Sequence, residues 1–205
     1  MDLSPAVLFL RKNLPNLLSI SRIPLGALFF LCMGRLSVET VVVGLLIIIV
    51  SLSTDYLDGT LARRQNTVST LGKWVDPLAD FIFFLFVYLS FFRLGIMPLF
   101  LLLLFLAREL TQNGLIRPLN LAKKLDLGAK TAGKIKTVLQ VIGSLMIVTL
   151  ILANQLGWVS FLLVKEISLG LLSLLVAVSL GSLYWYLQPY LRERRGGSQT
   201  RSSWK

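Results

Sequence analysis

The fold class this sequence predicts is an all-α integral membrane protein: six transmembrane helices with an N-terminal interfacial amphipathic helix. Three observations predict it. Of 205 residues, 55% are hydrophobic and 15% charged, whereas soluble domains run at about 45–50% apolar and about 25% charged, so this chain has too little polar surface to cover itself in water. The apolar residues are grouped in runs near the roughly 20 residues that a hydrocarbon core of about 30 Å requires. The basic residues gather at alternate ends of those runs, leaving only Arg35, Arg93 and Lys165 of the 21 Lys and Arg on the opposite side.

The elements follow in order. The opening stretch MDLSPAVLFLRKNLPN has a short apolar run with its basic residues after it, the reverse of a signal peptide. Leu3, Val7, Leu10 and Leu14 recur at helical spacing beside Arg11 and Lys12, as in a helix lying in the membrane interface. Six spans are expected: Ile20–Met33, with Asn16–Ser21 joining it to reach adequate length, then Val38–Leu57, Trp74–Phe92, Ile96–Gly114, Thr137–Gln155 and Ile167–Leu187. No strand alternation competes, and long helices satisfy every backbone group in lipid. Residues 1–190 are expected to form a single membrane domain. Residues 191–205 are expected to form a basic, disordered cytoplasmic tail, polar and Ser-rich from Gly196 onward.

Charge placement sets the expected orientation. Loops rich in Lys and Arg stay in the cytoplasm, so both termini and the basic side are expected there. The formal net charge of +11 is thereby read as topology. Nucleic acid is not an expected partner, because no interleaving of basic and aromatic residues accompanies the charges.

Composition narrows the chemistry. The chain has no His, which excludes His-ligated metals, Ser-His-Asp triads and transfer through a phosphohistidine. The single Cys32 excludes an intramolecular disulfide framework and thiolate clusters. Oxygen-ligand chemistry remains, and it selects magnesium, manganese or calcium.

The segment Asp55–Asp80 holds four of the ten acidic residues, at the ends of two apolar spans. An ionised Asp at mid-membrane costs roughly 2.5–3.5 kcal/mol, so such a group needs cations or water beside it. Asp55 and Asp58 stand three apart, and Asp76 and Asp80 four apart, so each pair shares one face of its helix. Facing one another on neighbouring helices, the pairs would form a divalent cation site. The competing reading is of membrane-edge charges paired with Arg63, Arg64 and Lys73.

The pattern Asp55-x2-Asp58-Gly59-x2-Ala62-Arg63-x8-Gly72-x3-Asp76-x3-Asp80 resembles, position for position, the signature of the CDP-alcohol phosphotransferase family. The resemblance implies a six-helix membrane enzyme, as a homodimer, that transfers a phospho-alcohol group from a CDP-linked donor to a hydroxyl and releases CMP. It implies two divalent cations, Mg2+ or Mn2+, held by Asp55, Asp58, Asp76 and Asp80, with Asp80 also taking the proton of the attacking hydroxyl. It implies a CDP pocket lined by Asp55, Gly59, Ala62, Arg63 and Gly72.

Flanking text is similar to the branch of that family that forms phosphatidylglycerophosphate from CDP-diacylglycerol and glycerol 3-phosphate. The similar pieces run from Asn13 to Arg22, then Asp76-Pro-Leu-Ala-Asp80, Ala107-Arg108-Glu109 and Gly133-Lys134-Ile-Lys136-Thr137. The acceptor phosphate is expected to meet Arg108, Arg117, Lys134 and Lys136. Arg117 is offset by one residue from its best match, and Phe81 stands where that branch usually has a Lys. Alternatives are another acceptor, phosphatidylglycerol as in cardiolipin synthesis or an inositol phosphate, and, in a different class, a divalent-cation transporter.

Overall fold

Among the described residues, apolar runs bounded by capping residues and short turns form six α-helices. The structure, a computed structural model, describes residues 5–65, 72–119 and 130–196, with side chains for 17–54, 75–119, 133 and 135–188. The helices are α1 (Pro5–Met33), α2 (Val38–Gln65), α3 (Gly72–Arg93), α4 (Leu99–Leu110), α5 (Lys130–Gln155) and α6 (Phe161–Gly196), and a π turn, Thr111–Ile116, continues α4. No strand occurs among the described residues.

Local chemistry explains the boundaries. Ser37 and Thr40 cap α2 reciprocally: Thr40 N donates to Ser37 Oγ at 3.3 Å and Ser37 N to Thr40 Oγ1 at 3.0 Å, satisfying donors that open a helix. Ile96 and Met97 turn back so that both amides donate to Phe91 O, at 3.0 and 3.1 Å. That turn, with Pro98 after it, delays α4 to Leu99, beyond the expected Ile96. Ser160 accepts from Leu163 N at 3.3 Å and starts α6 at Phe161, ahead of the expected Ile167, because Lys165 and Glu166 are tolerated near a helix end.

Among the described residues, four helical stretches are long and apolar enough to cross a membrane: Val75–Arg93, Leu99–Leu119, Ile135–Gln155 and Phe161–Gln188. Shorter apolar stretches, Leu17–Met33 and Val38–Thr54, lie in α1 and α2. The N-terminal segment and the first apolar stretch form one continuous helix, α1. The side chains of residues 5–16, on which the interfacial reading rests, lie outside the described ones, as does Leu3. At the other end α6 continues to Gly196, past the expected domain end at 190, and residues 197–205 lie outside the described ones.

Helix α1 packs against both α3 and α2, α5 packs against α6 and α2, and α4 packs against α6 and α3. Short turns after α1, α3 and α5 make consecutive helices run antiparallel. The buried core includes Phe29, Val41, Phe83, Val87, Phe91, Ile147 and Leu172. Tyr88 meets Phe105 edge-on, with ring centroids 4.6 Å apart. Leu31, Phe100, Leu162 and Leu174 point outward and are more than half exposed, as lipid-facing side chains are.

A glycine allows a close helix approach. A Cβ at Gly26 would stand 3.1 Å from Phe83 Cα and 3.0 Å from Phe86 Cδ2, so α1 and α3 meet there backbone to backbone. Gly26→Val is expected to cost about 1–3 kcal/mol through overpacking, read as a lower melting temperature in detergent. An unchanged melting temperature would show that the contact has slack.

Candidate functional site

The antiparallel order brings the start of α3, the end of α4 with its π turn, the start of α5 and the end of α6 to one end of the bundle. There they enclose a cavity of about 570 Å³. Asp80, Arg108, Arg117 and Lys136, four residues singled out in the sequence, line it together with Glu109, Gln112 and Tyr186.

Helix α1 reaches the carboxylates of α3. Ser19 Oγ donates to Asp76 Oδ1 at 2.6 Å, and the Arg22 guanidinium pairs with Asp80 Oδ1. Arg22 is 1% exposed and Asp80 38%, so the cation is fixed inside while the carboxylate stays open to the cavity. Pro77 lies between the two Asp residues and contributes no backbone N–H to the helix there.

Glu109 organises the basic wall. Its side chain is buried, and Oε1 accepts from Arg108 Nη1 at 2.7 Å and pairs with Lys136 Nζ. Asn113 Nδ2 lies 3.4 Å from Oε2. Arg108 also crosses to α6, where Nε donates to Ser179 O at 3.2 Å and Nη2 to Ser182 Oγ at 2.8 Å. These bonds engage three of the five N–H donors a guanidinium carries. Arg108 therefore ties α4 to α6 while still lining the cavity.

Arg117 stands nine residues after Arg108. At 3.6 residues per turn that is two and a half turns, which would put the two on opposite faces of a regular α-helix. The π turn between them, closed by i→i+5 bonds, accommodates an extra residue, and both arginines line the cavity.

Across the cavity, a Cβ at Gly133 would meet Tyr186 Oη at 2.7 Å, so the missing side chain admits the tyrosine hydroxyl. Phe81 lines the cavity and packs on Phe105, with centroids 6.3 Å apart. It also lines an adjoining apolar cavity of about 290 Å³, with Val75, Leu78, Leu110, Asn113, Gly114 and Arg117. Leu78 and Leu110 of that annex are exposed on the outside of the helices.

The remaining expected residues are placed only by backbone. Asp55, Asp58, Gly59, Ala62 and Arg63 lie in the last turns of α2, Gly72 opens α3, and Lys134 lies in the first turns of α5. Their side chains lie outside the described ones. Among the described residues no group of three or more Asp, Glu, Cys or His forms a metal cluster. The donor chemistry that is visible fits a hard divalent cation: Asp76 and Asp80 offer oxygen ligands one helical turn apart, and Asp80 is open on one side.

Sequence reasoning missed Ser19, Arg22, Glu109, Gln112 and Tyr186 as participants. Arg22 and Glu109 carried a signal, since each puts a charge within or at the end of an apolar run. Replacing Glu109 by Gln leaves two buried cations without their shared anion and is expected to cost about 3 kcal/mol or more. Adding Lys136→Met should recover part of that loss in chemical denaturation, whereas additive losses would show the pair to be uncoupled.

A family model described as CDP-alcohol phosphatidyltransferase matches residues 12–183. The chain is 32% identical over 142 residues to the Bacillus subtilis (strain 168) protein named CDP-diacylglycerol--glycerol-3-phosphate 3-phosphatidyltransferase, covering 63% of this chain and 73% of that one. It is 34% identical over 129 residues to the Rickettsia bellii protein of the same name, covering 63% and 71%. A cardiolipin synthase (CMP-forming) of Streptomyces coelicolor is 37% identical over 111 residues, covering 51% and 52%.

Proposed function

This chain belongs to the CDP-alcohol phosphatidyltransferase family, and from that premise we propose that it transfers the phosphatidyl group of CDP-diacylglycerol to glycerol 3-phosphate, giving phosphatidylglycerophosphate and CMP. The observation that carries the acceptor is the basic wall: Arg108, Arg117 and Lys136 converge on the cavity that Asp80 borders. A phosphorylated acceptor gives those cations an anion to hold. The names of the Bacillus and Rickettsia relatives agree, and the cardiolipin synthase aligns over a shorter part of the chain.

In this reading Asp55, Asp58, Asp76 and Asp80 hold divalent cations, Mg2+ or Mn2+. When bound, such ions neutralise the donor pyrophosphate enough for a second anion to approach it. Gly59, Ala62, Arg63 and Gly72 line the CDP side. The acceptor hydroxyl bonds to the phosphorus carrying diacylglycerol, the pyrophosphate P–O bond breaks, and the electron pair leaves with CMP. Asp80 takes the hydroxyl proton. Arg22, paired with the same carboxylate, holds it in place, and Lys134 adds charge on the acceptor side. The apolar annex beyond Phe81, bordered by outward-facing Leu78 and Leu110, gives the lipid portion of an amphiphilic donor a passage from the bilayer.

The same reading takes all six helices as transmembrane, with the N-terminal part of α1 lying in the interface. It places the site and both termini in the cytoplasm, because Arg35, Arg93 and Lys165 belong to the opposite end of the bundle.

CMP release by purified protein, with CDP-diacylglycerol and Mg2+ or Mn2+, is expected to require glycerol 3-phosphate and not to proceed with phosphatidylglycerol or inositol phosphate instead. Release with either alternative would reassign the acceptor, and no release with any of them would revive a transport role. Asp80→Asn should lower kcat by at least about 100-fold while CMP still raises the melting temperature. Arg117→Ala should raise KM for glycerol 3-phosphate about tenfold or more and leave KM for the donor unchanged; equal effects on both would leave Arg117 a structural role.

A further inference from the structure

Gln112 lies in the π turn and lines the same cavity as Asp80, Arg108, Arg117 and Lys136. It is 7% exposed, and its Oε1 has no hydrogen-bond partner among the described residues. A buried amide oxygen without a donor is costly and rare in native structures, and it calls for a specific explanation.

Three of the neighbouring donors are already engaged. Arg108 and Lys136 are drawn to Glu109, and Asn113 directs its amide nitrogen at the same carboxylate. A phosphate on the basic wall is itself an acceptor and offers an amide oxygen nothing. A neutral hydroxyl is the group that serves it, since it donates to an oxygen and adds no charge to a wall already holding an anion.

We infer that Gln112 is a specificity-determining residue: its Oε1 accepts a hydrogen bond from a second, non-reacting hydroxyl of a phosphorylated polyol acceptor. This rests on the acceptor reading above and extends it. The cations hold the phosphate, Asp80 faces the reacting hydroxyl, and Gln112 reads whether the intervening carbon carries an oxygen. An acceptor lacking that hydroxyl leaves the amide oxygen buried and unpaired, a situation that enzymes built to bind a hydroxyl use to reject its analogue.

The probe is 3-hydroxypropyl phosphate, which keeps the phosphate and the primary hydroxyl of glycerol 3-phosphate and lacks the middle one. Wild-type enzyme with CDP-diacylglycerol is expected to prefer glycerol 3-phosphate by about tenfold in kcat/KM. Gln112→Leu is expected to shrink that preference to within about twofold, by lowering the value for glycerol 3-phosphate alone, with KM for the donor unchanged. Equal use of both acceptors by the wild type would overturn the assignment, whatever the variant does. An equal loss on both acceptors in Gln112→Leu would also overturn it, because a residue that serves the phosphate or the fold affects them alike. Wild-type protein that uses neither acceptor would overturn the function and this assignment together, whereas failure of the assignment alone leaves wild-type turnover intact.

Discussion

A charge withdrawn from water must meet an opposite charge or a set of fixed dipoles, and the arrangement of this bundle follows from that requirement. Arg22 of α1 is buried between helices and meets Asp80 of α3. Arg108 and Lys136 enter from α4 and α5 and share Glu109. The Arg22–Asp80 and Lys136–Glu109 pairings each join two helices, so electrostatic neutrality and helix arrangement are one problem. The aromatic and aliphatic core fills the middle of the bundle, and the charged pairs specify which helix faces which at the end where the cavity lies.

The same pairings organise the chemistry. A cavity lined by unpaired arginines and lysines would bind any anion tightly and indiscriminately, and in a low-dielectric setting it would be costly to maintain. Glu109 offsets part of that charge and fixes the positions of two cations before a ligand arrives, which lowers the reorganisation that binding requires. Arg108 spends donors on Ser179 and Ser182 of α6, so the wall is braced from behind. Phe81, which stands where the similar branch usually has a Lys, packs on Phe105 and separates the polar cavity from the apolar annex.

Much of this was legible in the sequence, for physical reasons that also mark where legibility ends. Apolar runs of membrane length announced the long helices, because lipid demands both the length and the composition. The ends were less exact: Ile96 and Met97 looked like span residues and instead form a turn whose amides bond to Phe91 O. Arg108, Arg117 and Lys136 stood out as cations near apolar runs, and they share one cavity with Asp80. Their partners were hidden. Arg22 and Asp80 lie 58 residues apart, and Glu109 and Lys136 lie 27 apart, and no local pattern encodes such a meeting. Nor does the composition of Thr111–Ile116 signal a π turn, since its residues suit an ordinary helix as well.

That turn has a consequence for how such a chain changes over generations. In a regular transmembrane helix, gaining or losing one residue rotates everything beyond it by about 100° and exchanges lipid-facing side chains for buried ones. Here the surplus residue is confined within a single widened loop of backbone, and the helix beyond it keeps its bearing. The segment behaves as a splice: length can vary inside it while the aim of Arg117 is preserved. Gain or loss of one residue within this turn is therefore a local change of pitch that leaves the bearing of the helix beyond it intact.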